Sequence, residues 1–444
     1  MPHRRAALDL GPDPVGTLDK IDPAALRRLN VIRILDAVRR HGPISRASLA
    51  RRSRLSPPAV SALVDELIAG RGLLREVGRD VSTGGRRPRL VGFAAERGAV
   101  VGVDIGSTRL RYALADLDGR ILGRREEATG NPAPAALLRQ VGAGIDRLVE
   151  GSRKVPSLRA IGVGAPGMTD VRRGVVIEAA NLRGWVDVPL RDMLARRFGV
   201  PVAVDNDVNM AALGEYWVGC AKRVPNFVFI ALGRGIGAGI MIDGRLYRGS
   251  QWYAGEIGHV LLDCTQWKRS AGRQGCLERQ AGAAALARRW RASAPGGGGE
   301  AGDAAALFAA ARRGEPVAAK IVEEAAVALG VAVANIVTTL DPALVVVGGG
   351  LGQAGEALLE PVRQVVRRVA PNRPVIRATA LEGQAQVFGS VLTALRLANQ
   401  VLYEEILAGG DGARRPARAA GRPAAGRPAA GRPARRTRPA TGSA

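Results

Sequence analysis

One junction restricts this chain more than any other. The apolar run at residues 200–204 ends in Asp205-Asn206-Asp207, and a segment of helical character, residues 210–216, follows. A short apolar run stopping at polar residues predicts a buried strand that delivers side chains to a cleft. In open α/β sheets ligands gather at the carboxyl ends of the strands. Asp207 is thereby placed to meet a ligand, where a carboxylate can take a proton from a hydroxyl as the base of phosphoryl transfer does. Asn and Asp at such junctions also serve as Asx turns and helix caps, so this stretch alone leaves both readings open.

The length of 444 residues predicts about three units. Three cysteines, Cys220, Cys264 and Cys276, make no disulfide framework and point to a reducing, cytoplasmic setting. No apolar run reaches the roughly 18 residues of a membrane span, so no membrane partner is expected. The first residues, with Arg4, Arg5, Asp9 and Asp13 among prolines, lack a signal-peptide core. The net charge of +25 is unevenly spread. Residues 25–98 hold 16 Lys/Arg against 6 Asp/Glu, and residues 411–444 hold 9 Arg against one Asp. Basic ends on a near-neutral body predict a polyanionic partner, nucleic acid first. Residues 1–24 and 409–444 cannot bury a core and are expected to be disordered; in the second, Ala-Ala-Gly-Arg-Pro recurs at Ala419, Ala424 and Ala429. Residues 295–303, with glycine at 296–299, are expected to form a flexible loop.

Residues 25–95 spell out a DNA-binding unit. Leu29, Ile32, Leu35 and Val38 share one stripe of a helix over residues 26–40, which His41-Gly42-Pro43 ends. Ser45 can cap a second helix at 46–52. Ser53-Arg54-Leu55 turns the chain, and Ser56 caps a third helix whose first residue is Pro57. Val60, Leu63, Val64 and Leu67 face its core. Two short strands, 74–77 and 89–93, flank a loop rich in glycine and arginine. Helix, turn, capped helix and basic strand pair make a winged helix-turn-helix, with a small protein–protein module as the other reading. Arg54, Arg79, Arg86, Arg87 and Arg89 are candidates for phosphates or the minor groove. Ser56, Ala59 and Ser61 are the base-reading candidates, a sparse set for direct readout. The expected partner is double-stranded operator DNA.

The remaining segments repeat a strand-then-glycine pattern. Asp104-Ile105-Gly106-Ser107-Thr108 ends an apolar strand and opens a hairpin, whose N–H and hydroxyl groups can cradle a phosphate. Residues 160–167 form a strand ending in a tight turn, and Asn181 to Trp185 lie in a loop. Gly233, Arg234 and Gly235 begin a run of alternating glycines that suits either close approach to a phosphate or a plain hairpin. Glu256 and His259 stand three apart after a glycine turn, and Gly348-Gly349 follow the strand at 344–347.

Together these segments resemble the ROK (repressor, ORF, kinase) family of transcriptional regulators, from residue 25 to about 405. The resemblance implies an α/β chain. Its winged helix-turn-helix at 25–95 precedes a two-lobed body at 99–405 of the actin-like ATPase and sugar-kinase (ribonuclease H-like) fold. It implies sugar ligands at Asn206, Asp207, Glu256, His259 and Glu278. It also implies phosphate or nucleotide loops at Asp104, Gly106, Ser107 and Thr108, at Gly233, Arg234 and Gly235, and at Gly348 and Gly349. Family kinases usually carry Thr where this chain has Arg234. The family's zinc cluster is degraded: Gly272, Gly275, Cys276 and Glu278 align, but its earlier cysteines fall on Arg269 and Ala271, and Cys264 is out of register. A closed zinc site wants four N or S ligands, whereas His259 and Cys276 make two, so no zinc is expected.

The expected function is a sugar-responsive transcriptional regulator, a repressor of carbohydrate metabolism, working as a homodimer or homotetramer with a sugar or sugar-phosphate effector. The alternative is an active, glucokinase-like enzyme using ATP and magnesium, with Asp207 as its base. The basic ends leave room for a third role, non-specific nucleoid-type binding.

Overall fold

In the computed structural model, residues 22–79, 88–152, 157–262, 276–293, 303–350 and 355–409 are described, the side chains of Arg79 and Cys276 excepted. The wing loop with Arg86 and Arg87, the residues 263–275 of the degraded cluster, the glycines at 296–299, and residues 1–21 and 410–444 of the two tails lie outside them, while Pro23 and Ala24, expected to be disordered, begin a helix.

Caps set the winged unit. Helix α1 (Pro23–His41) starts on Asp22, and a short strand β1 (Ile44–Ser45) follows. Ser45 Oγ accepts from the Ser48 N–H (3.3 Å) to start α2 (Arg46–Ser53). Ser56 Oγ accepts from the Ala59 N–H (3.4 Å) to start α3 (Pro57–Asp65), which runs on into one π turn, Glu66–Gly70. Strands β2 (Leu74–Arg79) and β3 (Arg89–Phe93) form the wing, and β1 joins them in the order β1-β3-β2. The buried stripe of α1 is Val31, Ile34, Leu35 and Val38, whereas Leu29 and Ile32 are half-buried. The stripe is turned from the expected one because α1 packs on both its own unit and the body.

The body is one plan used twice. Its first lobe comprises β4 (Ala99–Ile105), β5 (Arg109–Asp116), β6 (Ile121–Ala128), α4 (Pro134–Glu150) and β7 (Leu158–Ala165). A small sheet of β8 (Met168–Asp170), β9 (Val175–Glu178) and β10 (Val186–Val188) follows, then α5 (Leu190–Phe198), β11 (Val202–Asn206) and α6 (Asp207–Trp217). Its main sheet has the order β11-β7-β4-β5-β6. The second lobe has β12 (Phe227–Leu232), β13 (Ile236–Ile242), β14 (Arg245–Tyr247), α7 (Cys276–Ala281), α8 (Ala283–Ser293), α9 (Ala304–Arg312), α10 (Pro316–Leu340), β15 (Leu344–Gly348), α11 (Glu356–Val369), β16 (Val375–Ala378) and α12 (Ala385–Leu407). Its sheet, β14-β13-β12-β15-β16, repeats the first: an antiparallel trio continued by two parallel strands.

Each lobe's last helix lies on the other lobe's sheet: α12 on β4 and β7, α6 on β12 and β13. The two helices cross where Gly214 faces Ala385 and Gly389 faces Met210. A Cβ on Gly214 would stand 2.0 Å from the Ala385 carbonyl oxygen, and one on Gly389 would stand 1.8 Å from that of Met210. Only glycine permits so close a crossing. The alternating glycines of β13 serve the same end. A Cβ on Gly239 would meet Ala212 at 2.7 Å, so the run forms a hairpin strand on which α6 lies.

Helix α10 is long and apolar enough to cross a membrane by length and composition alone, although Lys320, Glu323 and Glu324 interrupt its apolar sequence. Its apolar face, including Ile321, Leu329, Val333 and Val337, is buried in the second lobe's core. A strongly hydrophobic helix is what the centre of a large lobe requires.

The winged unit and the body share one core. Val60, Leu63 and Leu67 belong to the same buried cluster as Val100, Ala113, Val391, Leu395 and Ile406. Polar ties reinforce it: Arg39 donates to the Leu117 carbonyl (3.0 Å) and to Asn399 Oδ1, and the Tyr403 hydroxyl donates to Asp36. The Arg39 guanidinium also lies 4.1 Å from the centre of the Phe93 ring.

Candidate functional site

The register of the first sheet sets charged residues in a row near the carboxyl ends of its parallel strands. Glu126 pairs with Arg111, Arg111 with Asp104, Asp104 with Gly164, and Gly164 with Asp205. Paired residues on neighbouring strands point to the same face. Arg111 reaches Asp104 Oδ2 at 3.2 Å and Glu126 at the same distance. At the far end Asp205, 2% exposed, accepts from the Asn206 N–H (2.8 Å), Asn209 Nδ2 (2.9 Å) and Arg248 Nε (2.8 Å). Arg248 follows β14, so this buried ion pair joins the lobes.

The first turn of α6 rises over Gly164, where a Cβ would stand 3.5 Å from the Asp207 Cα. Asn206 is the helix cap: its Oδ1 accepts from the N–H groups of Val208 (2.8 Å) and Asn209 (3.2 Å), and its Nδ2 donates to the Gly167 carbonyl (2.9 Å). The cap reading thus holds for Asn206, and the helix starts at Asp207, earlier than the residue-210 start read from the sequence. That cap leaves the Asp207 carboxyl facing other acids. Burial pushes it up to about 7, and Asp104 and Glu256 push the same way, against the N–H of Val208. Asp104 is pushed up to about 6 by burial, with Arg111 opposing. Glu256 is raised by burial and by Glu278, with His259 opposing. Glu278, on α7, accepts from the Ile236 N–H (3.1 Å) just after the Gly233–Gly235 turn. Asp104, Asp207, Glu256, His259 and Glu278 therefore share one electrostatic neighbourhood between the lobes. His259 is solvent-exposed, while Asp207, Glu256 and Glu278 are half-buried. Half-buried carboxylates between two lobes are suited to accepting hydrogen bonds from a polyol.

The loop candidates are placed as follows. The hairpin tip is closed by the Gly106 N–H donating to the Arg109 carbonyl (3.0 Å) and by Thr129 Oγ1 donating to that of Gly106 (2.7 Å), leaving Thr108 exposed and Ser107 half-buried. Arg234 is exposed on its turn. Gly348 is buried, with the Phe229 ring 2.5 Å from where a Cβ would stand, and Gly349 has φ +85°. Cys264 lies outside the described residues, and among those described no group of three or more His, Cys, Asp or Glu could hold a metal ion.

On the winged unit Arg54 is exposed and in the left-handed conformation (φ 56°) between α2 and α3. Ser56 is exposed but committed to its cap. Ala59 and Ser61 are half-buried, and the Ser61 carbonyl accepts from Arg46 (3.2 Å). Arg89, a phosphate candidate, pairs with Glu76 across the wing at 2.8 Å and is exposed.

Sequence reasoning missed Arg111, Asp205 and Arg248. The one signal available was Asp205, an acid adjoining an apolar strand, which demands a buried partner.

Two lobes of one strand order, a cleft of carboxylates between them and a winged helix-turn-helix on a shared core define a DNA-binding chain built on the sugar-kinase fold. Residues 100–400 match the ROK family and residues 27–70 the winged helix-turn-helix DNA-binding family. The chain belongs to the ROK family. It is 32% identical over 362 residues to the xylose repressor of Caldicellulosiruptor bescii, covering 77% of this chain and 88% of that protein. Among solved structures it is similar to a ROK family transcriptional regulator, a homolog of the E. coli MLC protein, at 25% identity and a TM-score of 0.70, covering 87% of this chain and all of that one. It is also similar to the ROK glucokinase of Streptomyces griseus in complex with glucose and AMPPNP, at 33% identity and a TM-score of 0.59, covering 67% and 99%.

Proposed function

We propose that this chain is a carbohydrate-responsive, DNA-binding repressor. Its winged unit holds duplex operator DNA, and a small sugar or sugar phosphate enters the cleft at Asn206, Asp207, Glu256, His259 and Glu278. The observation that carries this reading is the joining of a winged helix-turn-helix to the acid-lined cleft through one core. Helix α12 packs on α6, whose first turn bears Asp207, and packs on α1 at its other end. A ligand that draws the lobes together bears on both ends of that helix, and so changes DNA affinity by its preference for one arrangement. Winged units commonly read paired half-sites, so the working form is a homodimer or a dimer of dimers, acting in the cytoplasm where the DNA is. The natural division is an N-terminal segment at 1–24, a winged unit at 25–95, a body at 99–405 and a basic tail at 409–444.

The repressor reading needs no zinc, ATP or magnesium. Asp104, a candidate of the first phosphate loop, already holds Arg111, so its carboxylate carries a cation of the chain's own. One observation favours the kinase alternative: Asp207 is tuned near neutrality, where a general base works best. The test measures operator release and ATP turnover against a hexose panel. Release without turnover, lost in Glu256→Ala while DNA binding persists, supports the repressor. Turnover abolished by Asp207→Asn overturns it, and a Glu256→Ala protein that still answers the sugar displaces the site.

A further inference from the structure

We infer that the winged unit carries a second, sequence-blind DNA anchor on the outward face of α2, in a hollow that seats a backbone phosphate of duplex DNA. The hollow encloses about 400 Å³ between the end of α1, the face of α2 and the base of the wing. His41, Ser45, Ser48, Arg51, Arg52 and Leu90 line it. Leu90 pairs with Ser45 across β1 and β3 and adjoins Arg89 at the wing base, so the hollow opens beside the wing.

Charge separates these arginines from their neighbours. The described carboxylates of the unit are engaged elsewhere. Asp65 holds Arg46, Glu66 holds Arg27 and Arg71, Glu76 holds Arg89, Glu96 holds Arg75, Asp36 accepts from Tyr403 and Asp22 caps α1. Among the described residues no carboxylate lines the hollow, and neither Arg51 nor Arg52 has an ion pair. Arg51 donates to Ser48 Oγ (2.9 Å), which turns one guanidinium toward the hydroxyl pair of Ser48 and the buried Ser45 (Oγ to Oγ 3.1 Å). Uncompensated guanidinium groups around hydroxyls in a concavity fit a phosphate oxygen set, which Arg meets with a fork of donors. Each such contact adds about 0.9 to the salt slope of duplex binding.

The inference rests on the repressor reading for its partner, and the experiment tells the two apart. Anisotropy of a labelled 30-base-pair random-sequence duplex is followed with the full chain from about 50 to 300 mM KCl. Arg51→Gln/Arg52→Gln should flatten the log–log slope by about 1.8 while keeping the thermal midpoint. The charge-matched control Arg27→Gln/Arg367→Gln, at residues already paired with Glu66 and Glu360, should keep the wild-type slope. An unchanged slope in the first variant, or equal flattening in both, overturns the anchor with the repressor reading intact. A wild-type chain that does not bind the duplex sinks both.

Discussion

Asp207→Asn should stabilise the protein at alkaline pH while removing its sugar response. Burial and the neighbouring acids carry the Asp207 carboxyl from 3.8 to about 7. Because the folded value lies above the unfolded one, its stabilising contribution is complete below about pH 4 and is lost as pH rises through about 7. The full displacement would cost the ionised folded state at most about 4 kcal/mol. Asp207 is half-buried and shares its field with Asp104 and Glu256, so about 2 kcal/mol is the expected cost at pH 8. Asparagine keeps the shape and leaves out the charge. Scanning calorimetry at pH 4 and pH 8 measures the difference. The variant should match wild type within about 0.5 kcal/mol at pH 4, close to the unfolded value, and melt about 2–3 °C higher at pH 8, given the entropy of unfolding of a chain this long. A variant destabilised equally at both pH values would show that Asp207 is held by specific hydrogen bonds rather than confined among like charges. A variant that still releases operator with sugar would remove Asp207 from the ligand set.

Other outcomes follow from the same geometry. Arg248→Ala leaves the buried Asp205 carboxylate without its cation and should cost about 3–5 kcal/mol in denaturant unfolding; Arg248→Lys should recover part of that. Gly389→Val drives a branched side chain into the Met210 carbonyl and should cost 3 kcal/mol or more, read as a lower thermal midpoint or loss of soluble protein. Tyr403→Phe removes the bond to Asp36 and should lower stability by about 1–2 kcal/mol. It should also shrink the sugar-induced change in operator affinity without changing sugar affinity in the isolated binding assay.

Local patterns were legible where a local cause acts. The caps Ser45 and Ser56, the wing strand at 89–93 and the first-lobe hairpin were readable because capping and alternation are written within a few residues. The candidate site was legible as a set of acids after strands, since a carboxylate beside an apolar run demands explanation. The role of the glycines was not. Those at 237 and 239 look like a phosphate loop in one dimension, but here α6 lies upon them, and nothing within residues 232–239 announces that helix. The turned stripe of α1 and the ties of Arg39 and Asp36 depend on residues near 400. The sequence carries no pattern pairing positions some 360 residues apart.

The continuous core between α1 and α12 has a consequence for engineering. A reading head hung on a flexible tether could be exchanged between relatives as a cassette. This one could not: parting the head from the body would break the ties of Arg39 to Leu117 and Asn399 and of Asp36 to Tyr403, and would open the cluster that runs from α1 to α12. A chimera with altered operator preference must therefore transplant the closing turns of α12 together with the head.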